Sequence, residues 1–311
     1  MRPERRRPAP LLLLLAAAGC AAGAPGTAVT GGAGAGGAAI DAAGGEAGRA
    51  GDAAPPSVID AGVEVARGGD EAGGARPCVA LALCDDFEGA AAGGPPDPAR
   101  WAVGAPDTTG TGTLAIDDAQ HHSGARSVKV TGKGGYSNHI FITNAAAIGA
   151  LGPVVWARFY LRLASALGDG HATFLAMKDG HDGGKHLRMG GQASILMMNR
   201  ESDDATLPAL SPMGIAASEP LPTDRWLCLE LMIDATAPMP TTMRTWVDGA
   251  EIAGLHLDGV STPDIDEQWL RRTDWRPALT DFALGWESYA GQDLTLWFDD
   301  VALDARRVGC L

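Results

Sequence analysis

A run of basic and amide side chains stands out in the middle of an acidic chain of 311 residues. The run is TFLAMKDGHDGGKHLRMGGQASILMMNR, and its alternation predicts two strands joined by a loop at 179–184. Side chains alternate between the two sides of a strand, so His186, Arg188 and Gln192 should share one face. Gly190 on that face should leave room for a ligand to approach the backbone.

These residue types suit the β-elimination of a glycan at a uronic acid. The reaction removes the C5 proton, which requires that the adjacent carboxylate be neutralised, and Arg188 and Gln192 could do this by charge and hydrogen bonds. A histidine or tyrosine could take the proton, and a tyrosine could protonate the leaving oxygen. Tyr289 is our first choice for that tyrosine, and Tyr136 and His139 are second choices. The alternative is a solvated strand face that happens to be polar.

A second aromatic and polar face occurs in the segment VVWARFYLRL. Trp156 and Tyr160 could stack on sugar rings, and Arg158 could bind hydroxyls or carboxylates with its fork of donors. His139 and Lys178 complete the candidate substrate-binding set. The alternative is that the two rings pack beneath a loop.

The elements that position these residues read as short strands. Alternating hydrophobic runs occur in VVWARFYLRL, RWLCLELMID, ALGWESYAG and LTLWFDDVAL, and MRTWVDGAEIAG predicts a hairpin that turns at Asp248-Gly249. The sequence contains no long amphipathic pattern typical of a helix. We therefore predict an all-β domain, an antiparallel sandwich or β-jelly roll.

The N-terminal part of the chain has the composition of an export signal and a spacer. Residues 1–19 combine a basic start with the apolar run Leu11–Leu15, and they end in a lipobox-like AAGC, which predicts a signal peptide and lipidation of Cys20. An ordinary signal peptide is the alternative. Residues 20–77 are rich in Ala and Gly and predict a disordered linker, followed by the domain at 78–311. We expect an exported lipoprotein at the outer membrane or cell surface.

Charge and cysteine content restrict the partners and the compartment. A formal net charge of −14 disfavours nucleic-acid binding, and we expect a monomer whose partner is an extracellular polysaccharide. Four cysteines in the domain suggest two disulfides. Of the three possible pairings we favour Cys78–Cys84 and Cys228–Cys310.

The domain resembles the cellulose-induced jelly-roll proteins of fungi and their relatives, the glucuronan lyases. The resemblance lies in CDDFEG, HHSGARSVKV, VWARFYL, WVDG, the closing LGWESYAG…LWFDDVAL…VGC, and the His-x-Arg-x-x-x-Gln pattern that begins at His186. It implies a concanavalin A-like sandwich, polysaccharide lyase-like, whose concave sheet carries His186, Arg188, Gln192 and Tyr289 as the site. Some members of the group have no clear enzymatic activity, so a non-catalytic surface carbohydrate-binding protein is the alternative.

A glycoside hydrolase and a surface adhesin are two further alternatives. A glycoside hydrolase needs two carboxylates across the sugar, and Glu230 and Glu287 are isolated in the sequence. Nothing in the sequence excludes a surface adhesin without a glycan ligand.

The resemblance also implies a structural calcium site near the two ends of the domain. Glu88 and Asp300, with an oxygen of Ser123 or His122, would supply hard ligands for Ca²⁺. Asp299 and Asp300 point to opposite faces of one strand, so only one should coordinate, and we choose Asp300. The alternative is that these acids cap turns.

Overall fold

The structure is a computed structural model that describes residues 76, 78–104, 112–289 and 292–311. The predicted signal peptide, the lipidation site Cys20 and, apart from Arg76, the linker at 20–77 lie outside the described residues. No helix within the described ranges is long and apolar enough to cross a membrane.

Most of the regular elements in the described part of the chain are strands. In chain order the elements are β1 (Leu83–Asp85), β2 (Ala102–Gly104), β3 (Gly112–Asp117), β4 (Ser127–Gly132), β5 (Asn138–Asn144), α1 (Ala146–Leu151), β6 (Val154–Leu163), β7 (Ala172–Asp179), β8 (Lys185–Gln192), β9 (Ile195–Arg200), β10 (Ala205–Leu207), α2 (Pro212–Ala216), β11 (Trp226–Asp234), β12 (Thr242–Val247), β13 (Ala250–Leu257), β14 (Phe282–Ser288) and β15 (Leu294–Asp304). Single 3₁₀ turns lie at Cys78–Ala80, Gly180–Asp182 and Trp269–Arg272.

The strands form two antiparallel sheets that share one core. The first sheet has the order β13-β12-β11-β6-β15-β4-β3, with β1 also paired to β15, and the second has the order β10-β9-β8-β7-β14-β5-β2. The inward faces of β6 and β11 are the predicted ones, with Val155, Ala157, Phe159, Leu161, Leu163, Leu227, Leu229, Leu231 and Ile233 all buried. The all-β antiparallel sandwich is thus confirmed.

The predicted hairpin turn connects β12 and β13. Val247 pairs with Ala250, and the two residues between them, Asp248 and Gly249, have φ values of 51° and 80°. Positive φ at both central positions defines a tight turn of the kind that Asp-Gly favours. The Asp248 carboxylate also accepts a hydrogen bond from the backbone N–H of Cys228 at 2.9 Å.

Both favoured disulfides are confirmed. Cys78 is bonded to Cys84, and Cys228 is bonded to Cys310. The second bond joins β11 to the segment that follows β15, so it holds the C-terminal residues against the outer face of the first sheet.

The expectation that Gly190 leaves room for a ligand is wrong. Thr173 pairs with Gly190 and Leu175 with Met189, so β7 carries one extra residue between them. This bulge brings the backbone of β7 close to β8, and a Cβ at Gly190 would collide with the carbonyl oxygen of Ala172. The glycine accommodates the neighbouring strand and leaves no room for a ligand.

We expect Gly190→Ala to lower the free energy of unfolding by about 1–3 kcal/mol, because the added methyl group overpacks the bulge. Urea unfolding measures this. Gly149→Ala is the matched control, since a Cβ there meets nothing within 4 Å, and it should not destabilise the protein. Equal stability of the Gly190 variant and the wild type would contradict the assignment.

Candidate active site

A groove of about 460 Å³ crosses the face of the second sheet that points away from the core. Alternation along the strands sends apolar side chains such as Leu187 and Met177 inward and their neighbours outward into the groove. The lining side chains include His186, Arg188, Lys178, His139 and Tyr289 from the predicted sets, and Glu201, Glu287, Asp281, Phe141 and Thr143 besides.

Gln192 is the catalytic candidate that lies outside this lining. It ends β8, where it pairs with Ile195, and it is four residues and about 13 Å along the strand from Arg188. The intervening backbone at Gly190 and Gly191 is packed against Ala172 and Leu167. The structure therefore does not place Gln192 beside the group formed by His186 and Arg188.

The structure does not bring the predicted sugar-binding face of β6 to the groove. Trp156, Arg158 and Tyr160 belong to the first sheet, on the side of the sandwich away from the groove. The Tyr160 hydroxyl accepts a hydrogen bond from the N–H of Leu311 at 2.8 Å, and the Arg158 guanidinium donates to the carbonyl of Gly309 at 3.3 Å. Arg158 and Tyr160 are buried beneath the C-terminal segment, which is the alternative that the sequence left open.

Trp156 also packs within the protein. Its ring stacks on Trp246 with 5.3 Å between the ring centres, and the Arg307 guanidinium lies 5.7 Å from the Trp156 ring. This aromatic and cationic cluster secures the C-terminal segment against the first sheet.

In the groove, His186 is held by a carboxylate that the sequence analysis missed. Glu201 Oε2 accepts the backbone N–H of His186 at 2.8 Å and lies 3.0 Å from His186 Nδ1. A carboxylate at Nδ1 favours the tautomer that carries its proton there, which leaves Nε2 as the basic nitrogen. The pair has the geometry of an oriented general base.

Glu201 stays ionised over a wide pH range. Burial of the Glu201 carboxyl favours its neutral form, but hydrogen bonds from His186 and the charge of Arg188 outweigh burial and hold its pKa well below the usual range. Lys185 adds a further contact, with Nζ 3.0 Å from Glu201 Oε1.

A depressed carboxyl pKa predicts a specific pH dependence of stability. Such a group stabilises the fold fully above its unfolded pKa, and the contribution is lost as the pH falls toward the folded value. The free energy of unfolding should decrease as the pH falls below 4.5, the ordinary pKa of a glutamate carboxyl. Glu201→Gln should make this decrease with falling pH shallower. Urea unfolding over a series of acid pH values measures it. The exposed Glu219→Gln is the control, and an unchanged slope in the Glu201 variant would count against the network.

Arg188 lies between two carboxylates and beneath an aromatic ring. One terminal guanidinium nitrogen is 3.2 Å from Glu201 Oε2, and Nε is 3.6 Å from Glu287 Oε2. The guanidinium carbon is 5.3 Å from the centre of the Tyr289 ring, and Arg188 is 7% exposed. Arg188 is therefore fixed in position at the floor of the groove.

Tyr289 is a proton donor in this arrangement. Its hydroxyl donates to Glu287 Oε1 at 2.7 Å, and burial, together with that hydrogen bond, raises the pKa of Tyr289 well above its usual value. The ring stacks on His171, with 5.2 Å between ring centres, and the Tyr289 N–H donates to the His171 carbonyl. Burial, followed by the charge of Arg188, lowers the pKa of His171, so that imidazole stays neutral beneath the ring.

The remaining candidates occupy the walls of the groove. Lys178 pairs across the strands with His186, is half-exposed, and has its Nζ 3.8 Å from Asp281 Oδ2. His139 Nδ1 lies 3.9 Å from Glu287 Oε1. Glu287 is therefore not isolated, because Arg188, Tyr289 and His139 surround it. No sequence motif marks Glu201 or Asp281, since each meets its partners only through the folding of separate strands.

The predicted calcium ligands lie around the loop 122–126, which precedes β4. Glu88 Oε1 accepts the N–H of Ala125 at 2.7 Å, and the Ser123 hydroxyl donates to Asp300 Oδ1 at 2.8 Å. His122 Nδ1 lies 2.6 Å from Asp300 Oδ2.

Asp299 is fully buried beside that loop, and burial and the adjacent Asp300 carboxylate raise its pKa to about 7. Two buried acidic groups with hydroxyl and carboxylate oxygens nearby fit a hard cation in chemistry. Among the described residues, no group of three His, Cys, Asp or Glu side chains is arranged to hold a metal ion.

Comparison with known proteins places these features in a family. The fold is a β-sandwich, and the family model that matches it is of the polysaccharide lyase-like class. The family described as "Polysacc_lyase-like: Cip1-like, core domain" matches residues 86–306. The solved structure "Cellulose induced protein, Cip1" is 41% identical, with a TM-score of 0.66 over 74% of this chain and 100% of that chain. The chain therefore belongs to the Cip1-like family.

Two other solved structures have lower sequence identities and lower TM-scores. An endo-β-1,4-glucuronan lyase from the fungus Trichoderma reesei is 15% identical, with a TM-score of 0.45 over 72% of this chain and 95% of that chain. The alginate lyase Aly36B, in complex with an alginate trisaccharide, is 11% identical, with a TM-score of 0.43 over 72% of this chain and 98% of that chain. At these scores the likeness carries no argument about activity. No curated protein sequence matches the chain significantly.

Proposed function

We propose that the domain is a polysaccharide lyase that cleaves a uronic-acid-containing glycan by β-elimination. The observation that carries this proposal is the convergence of His186, Arg188 and Tyr289 in one groove, with a carboxylate on His186 Nδ1. A base, a fixed cation and a proton donor are the three parts that the reaction needs.

Each part has a definite step. His186 Nε2 takes the C5 proton of the uronate, and the electron pair of that C–H bond forms the C4=C5 double bond. Arg188 stabilises the negative charge that develops on the substrate carboxylate. The C4–O bond breaks, and the leaving oxygen receives the proton of the Tyr289 hydroxyl, which in the free protein is donated to Glu287. Glu201 keeps the imidazole in the basic tautomer and stabilises its charged form.

The proposal is tested by incubating the protein with glucuronan and with alginate. Elimination produces unsaturated uronates, which absorb in the ultraviolet, and their appearance is the expected result. Absence of absorbance on every uronan tested would contradict catalysis.

A non-catalytic carbohydrate-binding role is the second candidate, and the charge of the groove favours it. Three carboxylates, Glu201, Glu287 and Asp281, line the groove beside two basic side chains, Lys178 and Arg188. A uronate must therefore share Arg188 with Glu201 and Glu287, whereas a neutral glycan meets no such competition. Binding to a glycan array without any product would select this role.

We also propose that the protein is exported and anchored through a lipid on Cys20, as the basic and apolar start of the sequence suggests. Labelling of cells with a radioactive fatty acid checks this. Label should enter the wild type and be lost in Cys20→Ser, and an unlabelled wild type would refute the anchor.

Finally, we propose a structural Ca²⁺ held by Glu88, Ser123 and Asp300, supported by the buried acids beside loop 122–126. Calcium at about 100 times its Kd should add about 2.7 kcal/mol to the free energy of unfolding, and a chelator should remove that gain. Calorimetric melting of the wild type and of Asp300→Asn measures it. The variant should not respond to calcium, and a wild type that does not respond would contradict the site.

A further inference from the structure

One large aromatic side chain is exposed at the rim of the groove. Tyr136 is 81% exposed and lies in the loop 133–137 between β4 and β5. Its neighbour Ser137 lines the groove. The Tyr136 ring meets the Tyr289 ring nearly at a right angle, at 77°, with 5.3 Å between their centres.

The loop that carries Tyr136 is braced. The Asp293 carboxylate accepts the N–H of Gly134 at 2.7 Å and lies 2.9 Å from Lys133 Nζ. Ser137 has a φ of 56°, a backbone conformation that residues other than glycine rarely adopt. Such a conformation persists only where the surroundings enforce it, and it often accompanies a binding function. The brace holds the ring at the rim.

The position of the ring fits the chemistry of a sugar. The near-perpendicular contact with Tyr289 and the high exposure leave ring surface of Tyr136 free. The apolar face of a tyrosine ring can pack on another apolar surface while its hydroxyl stays in water. A pyranose presents such an apolar surface on the faces of its ring. Tyr289 would touch the oxygen of the cleaved linkage, so the ring beside it lies next to a sugar that flanks that linkage.

From these contacts we propose that Tyr136 is a stacking platform for the sugar adjacent to the cleaved linkage. The inference rests on the proposed function, because it requires a glycan in the groove. It adds a statement about the substrate. Stacking recognises the sugar ring and not its carboxylate, so the sugar at this position can be neutral or acidic. The uronate requirement then applies only at Arg188.

The experiment uses full-length wild type, Tyr136→Ala and Tyr136→Phe, with glucuronan oligosaccharides of graded length as probes. Tyr136→Ala should weaken binding about fivefold, measured by calorimetry, and raise KM by a similar factor without a change in kcat. Tyr136→Phe should behave as the wild type, because it keeps the ring. Met213→Ala, which truncates a side chain that is 72% exposed on α2, is the matched control and should change nothing.

The outcomes separate this inference from the proposed function. Binding by the wild type with equal affinity in Tyr136→Ala would overturn the platform and leave the proposed function intact. Equal losses in the Ala and Phe variants would also overturn it, because the hydroxyl and not the ring face would then carry the contact. A wild type that neither binds nor cleaves these oligosaccharides, and that cleaves no other uronan, would overturn both. Melting temperatures show whether each variant is folded.

Discussion

Tyr289→Phe is expected to lower kcat for uronan cleavage by about 10²–10⁴-fold, the usual contribution of a positioned proton donor. The substitution removes one hydroxyl and keeps the ring that stacks on His171 and faces Arg188. KM should change little, because the proton is transferred only in the transition state. Initial rates of ultraviolet absorbance measure both constants.

Stability and a second tyrosine provide the controls. The lost hydrogen bond to Glu287 should cost about 1 kcal/mol of stability, too little to unfold the domain. Tyr160→Phe is the matched variant, because Tyr160 is also buried and hydrogen-bonded, but on the other sheet, and it should keep full activity. A Tyr289 variant with normal kcat would remove Tyr289 from the mechanism.

Replacing both Cys228 and Cys310 by alanine should lower the free energy of unfolding by about 4.5 kcal/mol. The bond closes a loop with a sequence separation of 82, and the loss of loop-closure entropy in the unfolded chain grows with loop length. The native segment should stay in place, because the Glu230 carboxylate still accepts the Gly309 N–H at 3.0 Å and an Arg307 N–H at 2.9 Å. Urea unfolding measures the loss.

The first disulfide is the control for the second. Cys78 and Cys84 are separated by only six positions, so their removal should cost about 2.3 kcal/mol on the same argument. Activity should survive both changes below the unfolding transition, since neither bond reaches the groove. Equal losses for the two bonds would contradict the loop-length explanation.

The sequence predicted the sandwich because alternation of side chains directly reports which face of a strand is buried. Leu227 to Ile233 on β11 and the turn at Asp248-Gly249 follow from local chemistry alone. The position of His186 and Arg188 in one groove was predictable for the same reason, because both lie on one strand.

The sequence predictions were wrong or incomplete where the position of a residue depends on contacts between strands or segments that are distant in the sequence. A bulge opposite Gly190 fills the space that strict alternation left free. Trp156 and Tyr160 do point away from the core as predicted, but alternation cannot distinguish a face that meets a ligand from one that the C-terminal segment covers. Glu201 follows β9 and reaches His186 only through the pairing of β9 with β8.

The central claim is that the groove cleaves its glycan by elimination and without water. Digestion of glucuronan in oxygen-18-labelled water, followed by mass spectrometry of the fragments, tests this most directly. At digestion times too short for the reducing ends to exchange oxygen with water, the account predicts unsaturated fragments that carry no oxygen-18, formed by the wild type and strongly reduced in Tyr289→Phe. Saturated fragments labelled with oxygen-18 would mean hydrolysis, and they would contradict the roles given to His186, Arg188 and Tyr289.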